Sequence, residues 1–420
     1  MRATFLILVL SIAAGQAIAE EASPLDELNA SAGTDAASLI RLGDLYVEAG
    51  RLNDAKRVYK RAKWKGDNPE ARFGIIRLSM AENKFQTAKH YCRILEQKYP
   101  QKSTGDVCSG EFWLGNLRSS RAIESFEKAV AKGDIARGKT GIGEANLRLA
   151  KWDDAIAAFK EAIAANAGYL ADMGMGLALE KKGDVGGALE SLKKAVEKEP
   201  ASCQAHYHYG RLLGGGEMAV KELQTALSIK PNWYEANLAL GQIFEKDGKL
   251  KEAGEAYLRA TEGDNSRGDA DAYFGLAKIR QKEGKLDEAV EALQKVIDKV
   301  PNHAEGYLLF AEIYYQKKEP DQAIEALDRA REVASGDIDV FVRSAEIYME
   351  LGRYTNARAY LSQAVSMKPK NSKAHKMLGD IACERKQYEE GQRHYQNALK
   401  GDMKGVDKKE VEKRLSSCKK

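Results

Sequence analysis

A pair of histidines is the feature of this sequence that comes nearest to a catalytic or metal-binding group. His206 and His208 form an H-x-H pair inside a predicted helix. Residues two apart on a helix point in different directions, so this pair does not clasp a metal ion as histidines four apart would. We therefore interpret one histidine as a packing residue and the other as a surface residue.

Two glycine clusters fall short of the motifs that bind phosphate groups. The stretch Gly141-Ile142-Gly143 lacks the preceding strand and the later Gly of a dinucleotide site. The run from Gly214 to Gly216 lacks the Lys followed by Ser or Thr of a phosphate loop. No set of Ser, His and Asp stands out either. The sequence therefore predicts a protein that is not an enzyme and has no catalytic residues, metal site or cofactor.

The elements that carry these residues repeat along the chain. A small residue recurs at intervals of 31 to 36 residues, each time four positions before an apolar or aromatic residue, at Ala55, Ala88, Ala122, Ala155, Ala188, Ala219, Ala253, Ala289, Ala323, Ala357 and Gly391. Between successive members, apolar residues follow the three-to-four spacing of helix faces. A period of about 34 with two helices in each unit indicates a repeat architecture.

This pattern resembles the tetratricopeptide repeat family. Its motif is an apolar residue, Leu-Gly and Tyr in the first helix, Ala and Phe in the second, then Pro. The first unit supplies Leu39, Leu42, Gly43, Tyr46, Ala55 and Tyr59. The resemblance covers residues 36–405 and implies an all-α, right-handed superhelical solenoid of about eleven helix-turn-helix repeats. The sixth unit is short at GRLLGGGEMA, where the glycines predict a tighter turn between its helices.

Small residues are predicted where the two helices of a unit cross. In the seventh unit, Gly241 and Ala253 let the backbones approach, while Phe244 and Tyr257 fill the space beside them. A single pair of helices cannot bury its apolar face alone, so the array needs stacked neighbours and a polar cap. The tail, residues 406–420, has the composition of such a capping helix.

The N-terminal residues predict export. They follow the order of a secretory signal peptide: one Arg, then an apolar run from Phe5 to Ala14, then the small residues of Ala17-Ile18-Ala19. We predict a signal peptide over residues 1–19 with cleavage after Ala19; the alternative is an uncleaved anchor. Residues 20–35 are polar and small, and are predicted to be a flexible lead-in. No second apolar run of membrane length exists, so the mature chain is predicted to be periplasmic or otherwise secreted, without an integral membrane segment.

The five cysteines bear on the compartment of the mature chain, and their odd number leaves at least one unpaired in the monomer. Cys92 and Cys108 fall on helices that stacked units place side by side, so a disulfide between them is one interpretation. The other is that both are small core residues. Cys418, on the tail, is predicted to be exposed and free.

The charge of the chain argues against nucleic acid as a partner. Lys and Arg number 66 against 62 Asp and Glu, giving a formal net charge of +4. No basic run is long enough to indicate nucleic-acid binding. Lys and Glu alternate along the helices, which is typical of solvated faces.

The family resemblance implies that the first helices line a concave groove that binds peptides or proteins. The groove positions take an apolar series that includes Tyr207, Leu238, Phe274 and Leu308. A polar series four residues later includes Arg211, Gln242, Lys278 and Glu312. Packing between neighbouring first helices is the alternative role for the apolar series. Apolar anchors beside polar groups are the usual anatomy of a recognition surface.

Two functions are consistent with these features. The first is an exported, non-enzymatic scaffold that binds protein partners through its groove, in assembly of a cell-envelope machine such as a pilus, a motility apparatus or a secretion system. The alternative is an adaptor in polysaccharide export or at the cell wall, which binds glycan or a polymer-synthesis enzyme. Across the repeats the full groove series, Ile40, Thr140, Met173, Tyr207, Leu238, Phe274, Leu308, Val342 and Lys376, is mainly aliphatic rather than aromatic, which favours a protein partner.

Overall fold

The protein is all-α over the residues described by the computed structural model, which are 22–66, 68–262 and 269–419. They form 24 α-helices in two compact units, the first ending at Pro231 and the second beginning at Asn232. The first unit contains α1 (Pro24–Ser31), α2 (Ala36–Glu48), α3 (Leu52–Trp64), α4 (Pro69–Ala81), α5 (Phe85–Lys98), α6 (Thr104–Gly115), α7 (Ser119–Ala131), α8 (Ile135–Arg148), α9 (Trp152–Ala164), α10 (Tyr169–Lys182), α11 (Val185–Lys198), α12 (Cys203–Leu213) and α13 (Gly216–Ile229).

The second unit is built in the same way. It contains α14 (Tyr234–Lys246), α15 (Leu250–Thr261), α16 (Asp269–Lys282), α17 (Leu286–Lys299), α18 (Ala304–Gln316), α19 (Pro320–Val333), α20 (Ile338–Glu350), α21 (Tyr354–Met367), α22 (Ser372–Glu384), α23 (Tyr388–Lys400) and α24 (Lys408–Ser417). The predicted signal peptide, residues 1–19, lies outside the described residues.

Helices α2 to α23 form eleven antiparallel pairs, one pair for each predicted repeat. Polar side chains begin many of the first helices: Asp35, Asn68 and Asn371 each accept a hydrogen bond from a backbone N–H of the first turn. The helices then bury one stripe each, such as Ala289, Leu293 and Val296 in α17. The all-α repeat architecture predicted from the sequence is therefore confirmed.

The crossing in the seventh repeat shows why a small residue is needed there. A methyl group added to Gly241 would lie 2.6 Å from the nearest ring carbon of Tyr257. Ala253 is fully buried, and Tyr257 and Phe244 are buried beside it. The aromatic ring therefore occupies the volume that a side chain at position 241 would take, as the sequence predicts.

The sixth repeat has a two-residue connection between its helices. Gly214 ends α12 in the left-handed conformation with φ of 68°, and α13 begins at Gly216. Glycine adopts this conformation at little cost, which permits the tight turn. This is the turn that the shortened sequence of the unit predicts.

The N-terminal segment differs from the predicted flexible lead-in. Pro24–Ser31 form α1, whose N-cap is Ser23 and whose Leu25 is completely buried. The helix packs against α2 and α13. The prediction is therefore wrong for these eight residues, because they form a helix that packs both on the next helix and on α13, almost two hundred residues later in the chain.

The first unit closes on itself through α2. The Glu48 carboxylate, at the end of α2, accepts hydrogen bonds from the Tyr169 hydroxyl at 2.6 Å, the Ser202 hydroxyl at 2.7 Å and the Gln204 backbone N–H at 2.8 Å. This carboxylate lies at the N-terminus of α12, where the helix dipole favours a negative charge. Arg41 adds a bidentate ion pair with Glu199, at 2.7 and 2.9 Å. These contacts join the first repeat to the fifth and sixth repeats.

The C-terminal end of the second unit is covered by α24. Val411 of this helix is fully buried against α23. Cys418 forms a disulfide with Cys383, with their Cα atoms 5.6 Å apart, and is 4 % exposed. The prediction that Cys418 is exposed and free is therefore wrong, because α24 folds its end back over the last repeat.

A second disulfide joins two repeats of the first unit. Cys92 of α5 and Cys108 of α6 are bonded, with their Cα atoms 5.4 Å apart. The free cysteine is Cys203, which is buried beside the carbonyl oxygen of Glu48. Burial raises the pKa of the Cys203 thiol well above its ordinary range, and the nearby Glu48 raises it further. The thiol is therefore a packing group rather than a nucleophile.

Candidate functional site

The apolar groove positions divide into accessible and buried residues. Tyr207 of the first unit, and Leu238 and Phe274 of the second, are half-buried. Phe274 also contacts the His303 ring, with 5.0 Å between the ring centroids. Leu308 is only 2 % exposed and belongs to the core of the second unit. The prediction that Leu308 lines a groove is therefore wrong, because α18 packs this side chain inward.

The polar groove positions are largely engaged with neighbouring first helices. Arg211 forms an ion pair with Glu180 at 2.6 Å, and Lys278 forms one with Glu245 at 2.7 Å. Glu312 forms an ion pair with Arg343. Gln242 is exposed. Three of the four polar residues thus link one repeat to another, which leaves fewer polar groups for a partner than the sequence suggested.

A cleft opens on the first-helix side of the second unit, between α18 and α20. Its volume is about 490 Å³, and it is lined by Glu312, Tyr315, Gln316, Arg343, Glu346, Ile347 and Glu350. The Tyr315 side chain is 37 % exposed. Partial burial raises the pKa of Glu350, and the Glu346 and Glu312 carboxylates raise it further. A cationic group in this cleft would relieve that repulsion.

The corresponding side of the first unit is filled by a charged network. Arg77 lies between Asp44, at 2.8 Å, and Glu111, at 2.6 Å. Burial lowers the pKa of Arg77, but the Glu111 and Asp44 carboxylates outweigh burial and raise it well above its ordinary value. The Tyr59 hydroxyl donates to Asp44 at 2.5 Å. The first-helix faces of the early repeats are thus linked to one another by charge.

Sequence models of the tetratricopeptide repeat match residues 36–63, 114–169, 213–270, 280–341 and 348–404, which together exceed half of the chain. The chain belongs to the tetratricopeptide repeat family. The helix pairs in the matched ranges are therefore tetratricopeptide repeats, the remaining pairs have the same helix-turn-helix form, and the faces just described are those of the first helices.

Several solved structures are similar to this tetratricopeptide repeat chain. Yeast Tom70 shares 16% identity, with a TM-score of 0.44, over 91% of this chain and 95% of that chain. PilF of Pseudomonas aeruginosa shares 18% identity, with a TM-score of 0.43, over 50% and 97%. A tetratricopeptide repeat protein from Parabacteroides merdae shares 17% identity, with a TM-score of 0.47, over 60% and 98%. No match to a curated protein sequence is found.

In the sixth tetratricopeptide repeat, His206 is the packing residue that the sequence predicts, whereas His208 is less exposed than predicted because its Nδ1 atom is buried. His206 is buried, with its Nδ1 2.5 Å from Glu222 and its Nε2 3.0 Å from the Pro200 carbonyl oxygen. His208 is half-buried, and burial lowers its pKa to about 4. The two rings face different neighbours, and within the described residues no cluster of His, Cys, Asp or Glu is arranged to hold a metal ion.

The sequence contains a signal for the ion pairs that was missed. Opposite charges recur about one repeat apart on the first helices, as with Asp44 and Arg77, or Glu180 and Arg211. Because equivalent positions of stacked tetratricopeptide repeats are neighbours in space, such pairs meet. Reading charge at the repeat interval would have assigned Arg211, Lys278 and Glu312 to internal contacts.

None of the helices within residues 22–66, 68–262 and 269–419 combines the length and apolar character that a membrane span requires.

Proposed function

We propose that this protein is an exported, non-enzymatic scaffold that binds protein segments through the first-helix face of its second unit, in assembly of a cell-envelope machine. The cleft between α18 and α20 is the observation that carries the proposal. It is concave, and it combines an exposed Tyr315 with the carboxylates of Glu346 and Glu350. An aromatic side chain beside polar groups is characteristic of interface anchors.

The chemistry of the cleft favours a segment that carries a basic side chain. Arg343 is held by Glu312, and Lys373 is held by Glu346 at 2.6 Å. Glu350 has no ion pair with another described residue, and its pKa is raised by burial and by Glu346. A Lys or Arg from a partner would pair with Glu350 while its methylene groups lie against Tyr315.

The test is photocrosslinking in cells of the native host. A crosslinking amino acid with an aromatic ring, placed at Gln242, Tyr315 or Gln316, is expected to capture the same envelope protein. The matched control is Glu291, an exposed glutamate on the second helix α17. Glu350→Lys should abolish capture at Tyr315, whereas Glu291→Lys should leave it unchanged. Equal capture from Glu291, or capture of glycan instead of protein, would contradict the proposal.

The two disulfides support the export part of the proposal. Cys92–Cys108 and Cys383–Cys418 each connect separate helices, and such bonds persist in oxidising compartments such as the bacterial periplasm. Protein isolated from the native host is expected to begin at Glu20, as shown by N-terminal sequencing. Retention of Met1 on a membrane-bound form would show that the segment is an anchor.

A further inference from the structure

The second helices of the first two repeats differ in charge from all the other second helices. Helix α3 carries five Lys or Arg residues and one Asp, and α5 carries three and one Glu. Their formal charges are therefore +4 and +2, whereas no other second helix exceeds +1. The net charge of the whole chain is only +4, so the excess is local. Positive charge is concentrated on one side of these two repeats.

The positive side chains on these helices are available to a partner. They lie away from the buried stripe of each helix, and six of them are exposed without an ion pair to another described residue: Lys56, Lys60, Arg61, Lys63, Lys89 and Arg93. The two acidic residues face other groups. Asp54 pairs with Arg51 at 2.8 Å and with Arg57, and Glu96 accepts from the Ser109 hydroxyl at 2.5 Å.

Exposed apolar side chains stand among these charges. Trp64, at the end of α3, is 89 % exposed, the largest fraction among the exposed large hydrophobic residues that the structure describes. On α5, Tyr91 is 48 % exposed and Ile94 is 38 % exposed. Helices α3 and α5 occupy equivalent positions in successive repeats and both pack against α4. We name Lys60, Lys63, Trp64, Lys89 and Arg93 the basic face.

We propose that the basic face binds the surface of a lipid bilayer that carries anionic headgroups. Lysines beside tryptophan and tyrosine are the combination that a bilayer interface attracts, because the rings partition at headgroup level and the ammonium groups meet the lipid phosphates. Nucleic acid is less suitable, since proteins that bind single strands track the backbone along a groove with aromatic stacking platforms. Here the aromatic residues lie on exposed helix surfaces, at separate points of α3 and α5.

The experiment is flotation of the chain from Glu20 onward, which contains every described residue, with vesicles of two compositions. Equal parts of phosphatidylcholine and phosphatidylglycerol should bind the protein, whereas phosphatidylcholine alone should not. Binding should fall steeply as salt is raised. Tryptophan emission should shift to shorter wavelength on binding, and Trp64→Phe should remove most of that shift.

Charge reversal provides the decisive variants. Each Lys or Arg near an anionic bilayer adds about fivefold in affinity, so Lys60→Glu with Lys63→Glu should weaken binding about 25-fold or more. The control, Lys128→Glu with Lys160→Glu, makes the same change in net charge at exposed lysines of α7 and α9. It should bind as the unaltered chain does. Lys89→Glu with Arg93→Glu repeats the test on α5.

Three results would overturn the inference. One is equal binding to both vesicle compositions, and another is an equal loss in the control variant. The third is retention of full binding by both basic-face variants, with circular dichroism showing that they are folded. If duplex DNA binds the protein with the same dependence on Lys60 and Lys63 while anionic vesicles do not, the face recognises nucleic acid and the proposal fails.

Discussion

The sixth and eleventh repeats place a histidine at the same position of the first helix, and they surround it differently. His206 and His375 each have Nε2 3.0 Å from the carbonyl oxygen of the proline that closes the preceding repeat. The other ring nitrogen of His206 meets the Glu222 carboxylate at 2.5 Å. That of His375 meets another histidine, His394, at 3.1 Å. The histidine at this position thus has a carboxylate as its partner in an interior repeat and a second imidazole ring as its partner in the last repeat.

The difference shows that the repeat determines where the histidine lies but not how its surroundings respond to protonation. A carboxylate stabilises a protonated histidine, whereas a second histidine is repelled when both rings are charged. Burial lowers the pKa of His394, and the neighbouring His375 and Arg393 lower it further. His394 therefore makes the last repeat sensitive to acid, and this repeat has a disulfide to α24 that the sixth repeat lacks.

The largest expected effect comes from removing that disulfide. Cys418→Ser opens a loop of 35 residues, which on loop-closure grounds should cost about 4 kcal/mol in the free energy of unfolding of the last repeat. Hydrogen exchange should show α23 and α24 opening more readily, while α12 and α13 are unchanged. Cys203→Ser, at the free and buried thiol, is the control. Unchanged protection of α24 would show that packing of Val411 alone holds the cap.

Removing the histidine of the sixth repeat should have the next largest effect. His206→Ala leaves the buried Glu222 carboxylate and the Pro200 carbonyl without this partner, which should cost about 2 kcal/mol in denaturant unfolding. His375→Ala should cost about 1 kcal/mol, because the partner that loses a contact is the imidazole ring of His394 rather than a buried carboxylate. A larger loss from His375→Ala would reverse the comparison.

Acidification should have a smaller effect than these substitutions, and it should lower the stability of the last repeat. His394 has its ordinary pKa near 6.5 in the unfolded chain and a lower pKa in the folded protein. Its contribution is therefore complete above the ordinary value and is lost as the pH falls below it. Hydrogen exchange of α22 and α23, corrected for intrinsic rates, should reveal this between pH 7.5 and pH 5. His394→Gln should abolish the dependence, and an unaltered dependence in that variant would place its origin elsewhere.

Much of the fold could be predicted from the sequence because repeats reveal it many times over. The interval of small residues located eleven helix pairs, and the pairing of Gly241 with Tyr257 followed from the volume available at a crossing. Helix α1 was not predictable in this way. It is short and polar, it lies outside the period, and it packs on α13, which is distant in the sequence, as well as on α2.

The candidate site was less predictable, because the face of a first helix can either pack against a neighbouring first helix or remain accessible to a partner. Leu308 and Phe274 share one repeat position, yet the first is buried and the second is half-buried. The periodic pattern specifies the position but not the degree of burial. The bond between Cys418 and Cys383 likewise depended on the direction in which the tail turns, which no period encodes.

The contact between Glu48 and the start of α12 restricts how the gene can change. Arrays of this kind evolve by duplicating or losing whole repeats, because each repeat contacts only its neighbours. In the first unit, Glu48 contacts Ser202 and Arg41 contacts Glu199, so these contacts fix the number of repeats between the two ends. Insertion or deletion of one repeat there would separate both pairs of residues. The same event in the second unit would break no contact of this kind among its described residues.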